Sequence, residues 1–287
     1  MKKLALLFQI LSISVFSQIQ PSELTLNERN NLQLIRELEH FGRHTIKLKL
    51  HNHFYKKWQK QEQKNTYLYV SRPDSILLPN GFRPFEFFGT DTAGARLKAD
   101  SCSKVGYDAM IYHTSGTSAV LLTRYLLNYP PEAVVFVVLH EMAHVYRNSA
   151  RLKIPYAAEE SFGDFLGNNA GEYFIRKYHP EWLESFLIQK SVHESIYKLL
   201  ATTEAKVQGI PLEQKNQIYS QTNSDLKEIL FRGNQFIIDR FSYPVNHAYL
   251  LRNRYYYRWY WQFISEYSHV NSWKEIRKYY QSFPLHE

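Results

Sequence analysis

The sequence predicts an α+β protein, with a mixed α/β N-terminal part and a small sheet leading into a mainly helical C-terminal part. Three observations carry this. Two strand-like stretches, 66–71 and 106–112, lie in the first half among Pro and Gly punctuation. Almost everything after Pro131 reads as helix, up to a last turn at Lys274–Ser282. Over 287 residues, 44% hydrophobic and 22% charged residues make a globular composition and exclude disorder as the main state.

The elements follow in order. Met1-Lys2-Lys3 is a short basic start, and Leu4–Phe16 is apolar except at Gln9, Ser12 and Ser14. With small Ser17 closing the run, residues 1–17 read as a secretory signal peptide. The apolar run is too short to span a bilayer, and no cysteine follows it to carry a lipid. The mature chain, 18–287, is expected to be exported, periplasmic or secreted, without a membrane anchor. It is expected to form one domain with an α/β lobe at about 18–150 and a helical lobe at about 151–287.

Leu24, Leu32, Ile35, Leu38 and Phe41 make a helical stripe, with Asn27 or Thr25 as cap and Gly42 as stop. A polar helix is expected at about Asn52–Gln63, then the strand 66–71. Pro73, Pro79, Gly81 and Pro84 mark a loop-rich stretch through Gly94. The strand 106–112 follows, with a turn at His113–Ser118.

Composition removes several function classes. Cys102 is the sole cysteine, so an internal disulfide and any thiolate-rich metal site are excluded. A bound metal would need His and carboxylate ligands. The net charge of +8 falls to +6 once Lys2 and Lys3 are removed. Arg252, Arg254, Arg258 and Lys274 among Tyr and Trp read as a solvated helix face with aromatic stems in the core. Export argues against nucleic acid as partner.

The chemistry sits at 130–164. Pro130-Pro131-Glu132 opens a helix, proline and an acidic residue both suiting a first turn. Ala133–Leu139 is apolar all round, so the helix runs through the core. Its second half is His140-Glu141-Met142-Ala143-His144. Two imidazoles and a carboxylate buried there need compensation, and one divalent metal ion supplies it. His140 and His144, four apart, share a face. Glu141 stands beside the open coordination position, where a general base is needed. Chance alone gives such a motif in roughly 3% of chains of this composition, so a third ligand is the necessary test. Arg147 and Ala150 occupy the positions where metzincins carry Gly and His, which excludes that class. Further on, Glu160 and Asp164 stand one above the other on a helix with small Ser161, Gly163 and Gly167. That arrangement suits a ligand with a supporting carboxylate.

Glu160-x-x-x-Asp164 behind His140-Glu141-x-x-His144 resembles the gluzincin pattern of thermolysin-like metallopeptidases, and hence a zincin-like fold. More specifically, Leu139–His144 with Glu159-Glu160-Ser161-Phe162 resembles a bacterial family of predicted zinc aminopeptidases. Gly106-Tyr107-Asp108, Asn246–Leu250 and the Phe82-Arg83-Pro84 to Phe88-Gly89 stretch are also similar to it, so the resemblance covers most of 75–270. It implies His140, His144 and Glu160 as zinc ligands, Glu141 as general base, and Asp164 supporting a ligand, His140 foremost. Glu159 stands where the family has Asn, so Glu159 and Glu160 compete for the ligand role. Only Glu160 has a carboxylate one turn later.

The same resemblance implies an oxyanion donor from the late helical part, Tyr256 first and His247 second. Asn246 and Tyr112 are the candidate substrate-binding residues. Tyr112 and His113 lie where zincins place an edge strand for an extended peptide, which would add by main-chain hydrogen bonds. The Gly-x-Met-x-Asn motif that receives a free amine in one aminopeptidase group is absent, so end-specificity rests on the resemblance alone. The expected activity is an exported zinc peptidase, an aminopeptidase or else an endopeptidase. The contrasting reading is an inactive or metal-holding binding protein of the cell envelope.

Overall fold

The computed structural model describes residues 19, 21–50, 55, 57–60, 64–114 and 121–283. The signal-peptide segment 1–17 lies outside them, as do 115–118 of the turn expected at His113–Ser118, whose first two residues instead continue a strand. Among the described residues, no helix is long and apolar enough to cross a membrane.

Helix α1 (Leu26–Phe41) starts on a reciprocal cap, Thr25 accepting from the Glu28 amide while Glu28 accepts from the Thr25 amide. Its apolar stripe is buried, and Asn31 donates to the carbonyls of Leu127 and Tyr129 at 2.9 Å each. Gly42 does not stop the chain. A π-helical turn runs on to Ile46, and a Cβ on Gly42 would stand 2.6 Å from the Met142 sulfur. The glycine is there for close approach rather than for termination.

The expected polar helix over 52–63 is not found. Lys57–Gln59 is a short strand, β1, and the other described residues of that stretch are not helical. β1 pairs in parallel with β5 (Leu121–Thr123). A polar run without an apolar stripe carries no reason to pack as a helix, whereas pairing satisfies its backbone. The main sheet holds β2 (Asn65–Ser71) between β3 (Glu86–Gly89) and β4 (Asp108–Thr114), all antiparallel. Thus the stretch read as loop through Gly94 contains a strand. Its end also begins helix α2 (Thr92–Lys104), capped by Asp91 on the Gly94 amide at 2.8 Å.

The period of two sorts this sheet into two faces. Leu68, Val70, Ala109 and Ile111 pack with Cys102 of α2. Tyr67, Tyr69, Tyr112 and Thr114 line a cleft on the other side.

A short helix, α3 (Arg124–Asn128), precedes α4 (Pro131–Ser149), the helix of the His140/His144 motif. α4 begins with Pro131 at its first turn and is buried on nearly every side. After a tight connection with Arg151 at φ 54°, Pro155 caps α5 (Tyr156–Phe165). A π-helical turn (Leu166–Ala170) joins α5 to α6 (Gly171–Tyr178). Gly163, Gly167 and Gly171 place backbone against α4: a Cβ at Gly163 would lie 2.7 Å from His140 Nδ1, and one at Gly167 2.7 Å from the Phe136 ring.

The rest is helical as expected: α7 (Leu183–Val207), α8 (Leu212–Leu230), α9 (Gln235–Phe241), α10 (His247–Tyr257), α11 (Tyr260–Val270) and α12 (Trp273–Gln281). One apolar core runs through both halves, from Leu32 and Leu38 through Val138 and Phe162 to Tyr280. Much of the aromatic excess is used there; Phe162 stacks on Tyr280 with ring centroids 3.9 Å apart.

Candidate metal centre

α4 and α5 cross where the glycines allow it, and this crossing builds the site. His140 and His144 project from α4 and Glu160 from α5, with one ligand atom of each within 4.8 Å of the others. This His/His/Glu group can hold one metal ion.

Both imidazoles are oriented from behind. His140 Nδ1 bonds Asp164 Oδ1 at 2.7 Å, and His144 Nδ1 bonds Glu159 Oε1 at 2.9 Å. Each Nδ1–H donates to its carboxylate, so each Nε2 is left pointing at the shared position. The two Nε2 atoms are 3.2 Å apart. Zinc–nitrogen bonds of about 2.0–2.1 Å at a tetrahedral angle put two ligand nitrogens about 3.3 Å apart. Glu160 completes the set, with Oε2 3.4 Å from His140 Nε2 and Oε1 3.8 Å from His144 Nε2. Donor chemistry and spacing therefore fit one tetrahedral ion with a position left open.

The competition between Glu159 and Glu160 ends with a job for each. Glu160 shares the ligand position, and Glu159 supports His144 while also lying 3.5 Å from Arg147 Nε. The signal for the second job was in the sequence, as a second acid directly before Glu160.

Without a metal, the carboxylates keep protons on both imidazoles. Burial disfavours charge on His140, but the hydrogen bond to Asp164 and the nearby Glu160 outweigh it and push its pKa up to about 10. His144 goes the same way, burial again opposing and Glu160 and Glu159 prevailing, up to about 9. Glu160 is itself held below the ordinary carboxylate range, because His144 and His140 outweigh its burial.

Asp164 is the most connected group of the site. It is fully buried, and besides His140 it accepts from Arg240 Nη2 at 2.7 Å and from the Tyr197 hydroxyl. His193 Nε2 stands 3.5 Å from Oδ2, the oxygen that Arg240 and Tyr197 share, and burial pushes that histidine down to about 3, so it is neutral. Arg240, Tyr197 and His193 were missed in the sequence, since nothing in their spacing ties 193, 197 and 240 to 164.

The group opens into a cleft of about 290 Å³, lined by Glu141 and by Tyr156 and Tyr256 among other aromatic residues. The Tyr256 ring is 6.2 Å from the His140 ring. Burial, then the Glu160 carboxylate, raise the Tyr256 pKa well above 10 despite Arg252 and Arg240, so its hydroxyl keeps its proton. Tyr156 is raised in the same way, with Glu160 facing it. Arg252 also lines the cleft and is only 1% exposed, which corrects its reading as part of a solvated face.

The other candidates have different surroundings. His247 is buried one end of α10 away from Tyr256; its Nδ1 and backbone amide both bond Asp108 Oδ2 at 3.0 Å. Asn246 caps α10 through the Tyr249 amide and donates to the Ala109 carbonyl at 3.2 Å. Neither borders the cleft. Tyr112 does, through the face of the sheet. β4 is an edge strand, as anticipated, yet its outer edge is not open at these points. The His113 amide donates to the Tyr243 hydroxyl, which donates back to the His113 carbonyl, both at 3.1 Å. With Asn246 on Ala109, the chain's own 243–246 segment occupies hydrogen-bonding positions that an added peptide strand would use.

No family model, no curated protein and no solved structure matches the chain.

Proposed function

We propose that the protein is an exported zinc-dependent peptidase. The observation that carries this is the pair of imidazoles tied back by Asp164 and Glu159, so that both Nε2 atoms and Glu160 converge beside Glu141 in an aromatic cleft. A purely structural histidine pair has no need of a neighbouring glutamate facing a cleft. Export is supported by the basic and apolar run over 1–17.

A bound zinc ion would supply Lewis acidity and bring the pKa of water towards neutrality. Glu141 would take a proton from the attacking water and pass it to the departing amine nitrogen. Tyr256, protonated at all working pH values, would donate to the oxygen that gains charge as the carbonyl is attacked. Asp164 and Glu159 hold the imidazoles in one orientation throughout. The aromatic walls exclude water from the scissile group and bind apolar side chains.

Metal analysis of purified protein, followed by peptide-library digestion read by mass spectrometry, tests the reading with Glu141→Gln as control. Stoichiometric zinc and cleavage that Glu141→Gln abolishes are expected. Protein that neither contains nor takes up zinc would remove the peptidase reading altogether. Zinc uptake without cleavage of any peptide would leave the metal-holding binding protein. The aminopeptidase specificity carried by the resemblance predicts release of single N-terminal residues in the same digest, whereas internal fragments mark an endopeptidase.

A further inference from the structure

We propose that Arg252 receives a carboxylate group of the substrate, one to three residues from the bond that is cleaved. The proposal rests on the peptidase reading and narrows it to a substrate class.

Two arginines line the cleft at similar depth, and they differ in one respect. Arg240 has its ion-pair partner in Asp164 at 2.7 Å. Arg252 is 1% exposed, and no carboxylate lies within ion-pair distance of it among the described residues. Its Nη1 donates to Asn253 Oδ1 at 2.7 Å and to the Arg240 carbonyl at 3.3 Å, and its buried Nε has no hydrogen-bond partner. What faces the guanidinium is aromatic: its Cζ is 4.0 Å from the centre of the Tyr112 ring and 5.1 Å from that of Tyr256.

Ring faces attract a cation, but they satisfy none of its N–H donors and offset only part of the lost hydration. A buried, uncompensated guanidinium is costly to keep unless something completes it. Its guanidinium, bordered by two tyrosines and anchored at Nη1 by Asn253, still has N–H donors without an acceptor, and a carboxylate is the group that such donors take best. Arg252 therefore reads as a preorganised anion receptor whose counter-ion arrives with the ligand.

Its position gives the distance from the chemistry. Arg252 and Tyr256 are four apart on α10, hence on one face. Tyr256 in turn lies 6.2 Å from the His140 ring. An extended peptide advances about 3.5 Å per residue, so the anion would sit within a few residues of the scissile carbonyl. The opposite charge has no comparable receptor. The carboxylates lining the cleft are Glu160, which shares the metal position, and Glu141, the candidate base. A free α-amine would have to compete with both of those tasks. Two sources can supply the carboxylate, the C-terminus of a peptide or an acidic side chain.

The test uses zinc-loaded full-length protein and two matched pairs of tetrapeptides, each pair run with a free and with an acetylated N-terminus. One pair differs only in a free or amidated C-terminus. The second pair is amidated and differs in Glu or Gln at its last position. Initial rates give kcat/KM, and calorimetry on Glu141→Gln protein gives affinity without turnover. We expect at least a tenfold preference for the carboxylate in one pair, by rate and by affinity. The pair that shows it identifies the source. Arg252→Gln should bring that preference close to one, while Arg252→Lys, which keeps the charge, should retain part of it. Equal rates and affinities within both pairs for the unaltered protein overturn the proposal, as does a preference that survives Arg252→Gln. If Arg252→Gln does not fold, the unaltered protein and Arg252→Lys decide on the same criteria. Binding that discriminates acid from amide without any cleavage keeps the receptor and removes the peptidase. Cleavage without discrimination does the reverse.

Discussion

Gly163 is where the packing of the two helices and the geometry of the metal group become one problem. A Cβ built there would lie 2.7 Å from His140 Nδ1, 2.8 Å from Cε1 and 3.1 Å from Cγ, where ordinary contact begins near 3.4 Å. Gly163→Ala must therefore push the ring back by about 0.7 Å or force α5 away from α4. The displaced atom is the one that bonds Asp164 at 2.7 Å, so the same shift spoils the support of the ligand. Disturbed support of a ligand histidine lowers metal affinity about 10–100-fold, or about 1.4–2.8 kcal/mol. Overpacking adds a cost of about 1–3 kcal/mol to folding. Gly167→Ala is the nearest control, since its Cβ would meet the Phe136 ring at 2.7 Å and the Phe136 carbonyl at 2.9 Å, and would reach His140 only through the Phe136 ring that stacks on it. It should lower stability comparably while changing zinc affinity by less than about threefold. Competitive titration against a chromogenic chelator gives the affinity, and thermal unfolding in excess chelator gives the stability of the metal-free fold. Folded Gly163→Ala protein that binds zinc as tightly as the parent would refute the reasoning, and so would Gly167→Ala losing as much affinity.

Four further outcomes are expected. Asp164→Asn should be far worse than Glu159→Gln. The first leaves Arg240 buried without its carboxylate, at about 3–5 kcal/mol of stability, whereas the second weakens the support of His144 and a looser, part-exposed pair with Arg147, and costs about tenfold in zinc affinity. Chemical denaturation and chelator competition on both variants check this, and equal stability losses would contradict it. In the metal-free protein, read by denaturation across pH, the contribution of His140 and His144 to stability should be complete near pH 6.5 and be lost as pH rises through 9 and 10, while the depressed Glu160 and Asp164 lose theirs in acid. His140 and His144 have folded pKa values raised to about 10 and 9, so the folded state holds their protons longer than the unfolded chain does. Zinc needs both imidazoles neutral, so binding at pH 7 should release close to two protons and tighten with pH. Calorimetry in buffers of different ionisation enthalpy counts them, and release of fewer than one would show that the imidazoles are already neutral. Finally, Tyr256→Phe should reduce kcat about 10²–10³-fold with little change in zinc content, the loss typical of one oxyanion donor. Unchanged kcat would transfer that role to Tyr156, the other protonated cleft hydroxyl facing Glu160.

The part of the site legible in the sequence is the part set by local repeats. His140 and His144, and then Glu160 and Asp164, are each four apart on one helix, and an apolar helix carrying two histidines demands a partner. The strand at 65–71 and the capped helix at Thr25 were legible for the same reason. The short strand Glu86–Gly89 was hidden because three prolines before it signal a loop, and its pairing depends on β2, far from it in pattern though near in sequence. Lys57–Gln59 was hidden because its partner is Leu121–Thr123, sixty-odd residues away. The failure at Arg252 is different. Arginines spaced among tyrosines on a helix read as a wet face, and only the tertiary fold, which lays the Tyr112 face of the sheet over α10, puts this one in the interior.

That misreading matters for what the cleft prefers. A zinc ion held with Glu160 would keep one positive charge, while Asp164 cancels Arg240. Glu141 then balances the ion, which leaves the guanidinium of Arg252 as the surplus charge of the cleft. Burial magnifies that surplus, because the surrounding rings screen far less than water. The metal group alone is neutral towards the ends of a peptide, since it acts on the bond. Selection between substrates must come from the walls, and among the described residues Arg252 is the cationic wall residue without an ion-pair partner. A peptidase built this way should be drawn to substrates by their negative charge and should weaken towards them as salt rises, without any change in its zinc affinity.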